Sequence, residues 1–99
     1  MLNAVPNTQI PLSAPTRVAI VASTYNSRFV DALVVGAQAV FAKHPLVECR
    51  IVRVPGAFEI PAVAARCASE NAHPLDAIIC FGVVLQGATS HANVIVDAV

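Results

Sequence analysis

Gly87-Ala88-Thr89-Ser90-His91 joins an apolar run, Ala77-Ile78-Ile79-Cys80-Phe81, to a helix-like tail. A small, glycine-led turn between a strand and a helix lets several backbone N–H groups point outward together. With the helix dipole they form a site for an anion, phosphate above all. The N–H of Ala88 and the hydroxyl of Thr89 suit such an anion, although Ser and Thr at a helix start also serve as plain caps. His91, at the same turn, can carry a proton near pH 7; a histidine that satisfies nearby backbone groups is the competing reading. An anion cradle beside a proton carrier predicts chemistry on a small phosphorylated molecule.

Two further positions qualify. Glu59 follows Pro55-Gly56-Ala57-Phe58, where a carboxylate at a helix start accepts hydrogen bonds from hydroxyl groups while the dipole favours its charge. An ordinary first-turn glutamate fits equally well on local grounds. Tyr25 follows an apolar strand, where its ring can stack on a flat heterocycle, although a loop tyrosine more often packs. Local sequence also assigns Phe58 to the core rather than to a ligand. His44 and His73 each precede proline and read as solvated loop residues. The glycines form neither Gly-x-Gly-x-x-Gly nor a Walker A loop, so no nucleotide fingerprint is present. There is no Gly-x-Ser-x-Gly elbow either, which weakens a hydrolase reading.

The elements that must position these groups follow from hydrophobic spacing. Residues 1–16 carry Pro6, Pro11 and Pro15 and read as an extended arm. Residues 17–23 form a strand buried on both faces. Asn26 or Ser27 caps a helix with apolar positions at Val30, Leu33, Val34, Ala37, Val40 and Phe41. Asp31 in its first turn and Lys43 in its last suit the dipole, and Pro45 ends it. A second strand spans 49–54. A second helix starts near Glu59, tolerates Pro61 in its first turn, and buries Ile60, Val63, Ala64 and Cys67. A third strand spans 76–81, and a third helix opens at Ser90 with Val94, Ile95 and Ala98 on one side.

Strands alternating with amphipathic helices predict a three-layer α/β/α fold on a parallel sheet with right-handed crossovers. Ligands of such sheets bind beyond the carboxyl ends of the strands. The three ends, at 23–26, 54–59 and 82–91, should therefore meet on one rim. The third helix has only about two turns before Val99, too few to stand unsupported, which predicts a fold incomplete at its C-terminus.

Composition narrows the class. At 99 residues the chain has room for one small domain, yet it is 57% apolar and only 12% charged. A domain this small cannot hide that much apolar surface by itself, so burial against other subunits is expected. Six basic residues balance six acidic ones without a basic block, which leaves nucleic acid no electrostatic footprint. The longest mostly apolar stretch, residues 77–85, is too short to span a bilayer, and residues 1–17 do not read as a signal peptide. Cys49, Cys67 and Cys80 are odd in number and widely spaced, so neither a zinc site nor a disulfide framework is indicated. Cys67 and Cys80 read as free buried thiols of a cytoplasmic protein.

Taken together, Ser23-Thr24-Tyr25-Asn26, Val54-Pro55-Gly56-Ala57-Phe58-Glu59-Ile60-Pro61 and Gly82-Val83-Val84-Leu85-Gln86-Gly87-Ala88-Thr89-Ser90-His91 resemble the 6,7-dimethyl-8-ribityllumazine synthase family. The resemblance runs in order over residues 17–99, with Asp31 and Gly36 also in place. It implies a flavodoxin-like strand order, and makes 17–99 the N-terminal part of a single lumazine synthase domain. It implies the penultimate step of riboflavin biosynthesis, in which 5-amino-6-ribitylaminouracil condenses with 3,4-dihydroxy-2-butanone 4-phosphate without cofactor or metal. By the same resemblance Tyr25 stacks on the pyrimidine, and Ala57, Phe58 and Glu59 hold the ribityl chain. Val83, Val84 and Leu85 border the pyrimidine, Ala88 and Thr89 contact phosphate, and His91 is the general acid/base. Tyr25 replaces a more usual phenylalanine or tryptophan, and Gln86 stands where many members carry a basic residue. Family members assemble as pentamers, sometimes as sixty-subunit shells. A neighbour's aromatic and a phosphate-pairing arginine would lie beyond Val99. A catalytically inactive shell-forming or flavin-binding relative is the alternative. A flavodoxin-like binding domain is a weaker one, because Ser23-Thr24-Tyr25-Asn26 lacks the dense hydroxyl loop that flavin phosphate needs.

Overall fold

The computed structural model describes residues 12–86 and the helix at 91–98, the latter with side chains from Ile95 onward. Most of the expected arm, residues 1–11, lies outside this range. The segment 12–15 is exposed, and Thr16, assigned to the arm on sequence, already pairs with Val47.

The chain runs β1 (Thr16–Ser23), α1 (Ser27–Phe41), β2 (Val47–Val54), a 3₁₀ turn (Ala57–Glu59), α2 (Ile60–Ala68), β3 (Ala77–Phe81) and α3 (His91–Ala98). The three strands are parallel in the order β2-β1-β3. This is the opening of the 2-1-3 order of flavodoxin-like sheets. β1 is central, and from Val18 to its end every residue is buried.

Strand alternation divides the interior into two layers. Ile20 and Ala22 face α1, where Val30 and Val34 are buried and Ala37, Phe41, Ile51, Ile79 and Phe81 pack around them. Val21 faces the other way, with Val54, against Ile60 and Cys67 of α2. Register carries the same alternation across the sheet, since Ile20 pairs with Ile51 on one side and Ile79 on the other. The expected α/β/α layering follows from these two faces, and the stripe Ile60, Val63, Ala64 and Cys67 is the one α2 buries or half-buries.

Several local expectations need correction. Leu33 and Val40 are exposed rather than packed. With Phe29, also exposed, they occupy a second stripe at i, i+4 and i+11, one turn-face away from Val30 and Val34. Apolar spacing alone merged the two stripes. α1 ends at Phe41, so Lys43 lies beyond it, and Asp31 falls past its first turn. Asp31 is instead tied to Arg53 of β2, whose side chain crosses the α1 face of the sheet. Cys80 is exposed, not buried, because β3 forms an edge of the described sheet. Partial burial still raises its thiol above the ordinary value, and the neighbouring Cys67 pushes in the same direction.

Candidate functional site

Because all three strands are parallel, their carboxyl ends lie on one rim, and a network of hydrogen bonds knits the loops that follow them. The Thr24 N–H donates to the Val54 carbonyl (2.7 Å) and the Tyr25 N–H to the Pro55 carbonyl (3.0 Å). The Thr24 hydroxyl adds a bond to the same Pro55 carbonyl (3.3 Å). The buried Ser23 hydroxyl donates to the Tyr25 carbonyl (3.2 Å). Arg53 donates to the Ser23 carbonyl (3.0 Å) while pairing with Asp31. The first loop is thereby fastened to the end of β2 through Thr24 and Tyr25.

Asn26 fastens it to β3. It precedes α1 with φ 58° and ψ 41°, the sole non-glycine residue with positive φ among the described residues. Asn is one of the few types that visit this left-handed region readily. The expected side-chain cap is absent. The Asn26 carbonyl accepts from the N–H groups of Phe29 and Val30, and its side-chain Nδ2 donates to the Val83 carbonyl at 2.7 Å.

On the second strand end, the 3₁₀ turn lifts Glu59 to the start of α2. Its Oε2 accepts from the Gly56 N–H at 2.9 Å. Among the described residues Oε1 has no hydrogen-bond partner. The turn is pressed closely by β3. A Cβ placed on Gly82 would lie 3.0 Å from Ile60 Cδ1 and 3.1 Å from Ala57 Cβ. Ile60 can rotate away, but Ala57 Cβ is fixed to the turn, so Ala57–Glu59 would have to shift. We therefore expect Gly82→Ala to cost about 1–3 kcal/mol of stability, as overpacking does. Denaturant midpoints at unchanged slope would measure this, and a neutral substitution would show that the turn yields freely.

Between these ends lies a cleft of about 680 Å³ lined by Tyr25, Asn26, residues 55–59, Val83, Val84, Leu85 and Ile95. A volume of this size suits a small organic ligand. The cleft collects Tyr25, Ala57, Phe58, Glu59, Val83, Val84 and Leu85, all named from sequence. Phe58 is exposed there rather than in the core, because the 3₁₀ turn directs Ala57, not Phe58, inward. Tyr25 is 66% exposed, which leaves it open to a ligand face. Ala88 and Thr89 lie outside the described residues, and His91 is described only as the first residue of α3. Sequence reasoning missed Asn26 and Ile95 as lining residues. A non-glycine residue in the left-handed region leaves no mark in composition, whereas Ile95 was on the correct helix side without an assigned partner.

A smaller depression of about 220 Å³ sits at the opposite ends of the strands, lined by Arg17, Val18, Glu48, Arg50, His73 and Leu75. Both arginines there are already paired, Arg17 with Glu48 and Arg50 with Glu70. The charge is locally balanced and offers an anion little. Among the described residues no group of three or more His, Cys, Asp or Glu could hold a metal ion, and no helix is long and apolar enough to cross a membrane.

Comparison with known proteins shows the family. The sequence profile of the 6,7-dimethyl-8-ribityllumazine synthase family matches residues 15–99. A 6,7-dimethyl-8-ribityllumazine synthase of a Nocardioides species is 40% identical over 83 residues, covering 84% of this chain and 50% of that protein. The enzyme of the same description from Mycobacterium avium is 45% identical over 83 residues, covering 84% of this chain and 49% of its own length. One from Chlamydia trachomatis is 44% identical over 92 residues, covering 90% of this chain and 57% of its own. The chain thus spans about half the length of the curated relatives it matches.

Proposed function

The chain belongs to the 6,7-dimethyl-8-ribityllumazine synthase family, and on that premise we propose that its cleft binds 5-amino-6-ribitylaminouracil beside 3,4-dihydroxy-2-butanone 4-phosphate and condenses them. The observation that carries this reading is the convergence of three sequence-distant strand ends on one cleft. An exposed tyrosine, a glutamate whose Oε1 has no partner among the described residues and a strand-end backbone line it together.

In this reading Tyr25 stacks on the pyrimidine, and the strand end at Val83, Val84 and Leu85 borders its edge. Ala57, Phe58 and Glu59 take the ribityl chain, with Glu59 accepting from its hydroxyl groups. Ala88 and Thr89 take the phosphate. The 5-amino group attacks the ketone and water leaves as the imine forms. Loss of the proton on the hydroxyl-bearing carbon then expels phosphate, and the enol left behind tautomerises to a new ketone at that carbon. The ribityl-bearing nitrogen closes the ring onto the remaining carbonyl, with loss of a second water. His91 shuttles protons between these steps. Most of the acceleration comes from holding two substrates in contact, since each step is intrinsically facile once they are aligned.

Self-association belongs to the same reading. Phe29, Leu33 and Val40 leave an apolar stripe of α1 exposed, and the overall composition carries more apolar residues than one small domain buries. Pentamers or a sixty-subunit shell would cover such surface. The work is that of a cytoplasmic biosynthetic enzyme.

The test is a condensation assay of the full chain with both substrates, following the absorbance of the lumazine product. Turnover dependent on both supports the reading. Binding of a flavin or lumazine without turnover would replace it with an inactive shell-forming or flavin-binding relative. Within an active protein, Glu59→Gln is expected to raise the KM for the ribityl substrate about tenfold, since a charge-assisted acceptor is lost while the Gly56 contact can be kept. Steady-state kinetics with each substrate varied separately checks this, and an effect confined to the phosphate substrate would contradict the assignment.

A further inference from the structure

We infer that Asn26 is a positioning residue that sets the gap between the Tyr25 ring and the β3 strand end, and so the fit of a flat heterocycle between them; the inference rests on the substrate reading proposed above.

Three observations carry it. First, Asn26 occupies the residue before α1, where an asparagine side chain would ordinarily cap the helix, yet it makes no cap bond. Second, its Nδ2 instead reaches 57 positions along the chain to the Val83 carbonyl, at 2.7 Å. Because a carbonyl can only accept, the amide nitrogen must face it, which fixes the orientation of the side chain. Third, both partners line the cleft, and Asn26 adjoins Tyr25, whose own N–H is held by the Pro55 carbonyl at 3.0 Å. The loop bearing the ring is therefore anchored to β2 through the Tyr25 backbone and to β3 through the Asn26 side chain. Without the second anchor the ring keeps its tether to β2 but loses its fixed separation from Val83, Val84 and Leu85. The left-handed backbone serves this purpose, since it turns the side chain toward β3 rather than back over the helix end.

The test uses two variants of the full chain. Asn26→Gly keeps the left-handed backbone and deletes the bridge. Asn26→Asp keeps the shape and puts a carboxylate, which cannot donate, against the Val83 carbonyl. Alanine is avoided because it would strain the backbone at positive φ. Tyr25 is the single tyrosine in a sequence without tryptophan, so its fluorescence reports the loop directly. Both variants should show faster acrylamide quenching of Tyr25 and a KM for the ribityl substrate raised about tenfold. The KM for the phosphate substrate should stay within about twofold, and the denaturation midpoint of Asn26→Gly should fall only slightly, as the loss of one hydrogen bond implies. Unchanged quenching in both variants overturns the inference, as does altered quenching with an unchanged KM for the ribityl substrate. A parent protein that neither binds nor turns over the ribityl substrate defeats the substrate reading instead, while faster quenching in that protein's variants still supports the anchor itself.

Discussion

Ile20→Ala is expected to destabilise the protein by about 2–5 kcal/mol, the range found when a large aliphatic side chain is cut back in a close-packed core. Ile20 is fully buried at the centre of the sheet. It lies between Ile51 and Ile79 in register and beneath Val30 and Val34 of α1. These neighbours come from three different elements, β2, β3 and α1, so no single side chain can move in to fill the void without disturbing a strand pairing or the seat of α1. Against a total stability of roughly 5–15 kcal/mol, the loss is large enough to lower the population of folded protein visibly. Urea denaturation followed by circular dichroism measures it. Val35→Ala is the control, since Val35 is exposed on α1 and should change little. A cost below about 1 kcal/mol at Ile20 would mean that the two-layer interior is looser than its burial indicates.

His91→Ala is expected to lower turnover by about ten- to a hundredfold while leaving substrate binding nearly unchanged. That is at or below the low end of what general acid–base groups contribute, because proximity carries most of this reaction. His91 is the first residue of α3, two positions after Thr89, for which we propose the phosphate contact. A histidine there would hand protons to the departing phosphate and to the carbinolamine oxygen. Pre-steady-state kinetics with both substrates saturating separates turnover from affinity. Unchanged turnover would remove His91 from the chemistry, and a change in KM alone would make it a binding residue.

The layered fold was legible because its signal is redundant. Residues 17–23, with Val18 to Val21 at their centre, read as a strand covered on both sides, and Ile60, Val63, Ala64 and Cys67 repeat at helical spacing, so burial pattern and element type agreed in advance. The rim could be foreseen for a topological reason, as parallel strands deliver their following loops to one end. What escaped was whatever depends on neighbours rather than on spacing. Leu33 and Val40 have the periodicity of core residues, yet it is Val30, Val34, Ala37 and Phe41 that find the sheet beneath them. Cys80 sits in an apolar strand, but strand order puts that strand at an edge. Phe58 has the composition of a core residue and is turned outward by three residues of 3₁₀ helix. Asn26 was legible as the residue before a helix. That its amide would leave the helix to bridge two strand ends requires knowing that Val83 arrives there, which only the assembled sheet supplies.

The central claim is that a ring, a polyol chain and a phosphoryl group are gripped side by side at the carboxyl rim of the sheet. Its most direct test is titration of the isotope-labelled full chain with an unreactive ribityl-pyrimidine analogue, followed by amide and aromatic chemical shifts. The account predicts shifts concentrated at Tyr25, Ala57–Glu59 and residues 83–85, saturating together with one affinity. Shifts centred on Arg17, Glu48 and His73 at the other end of the strands, or none at the rim while the analogue binds, would contradict it.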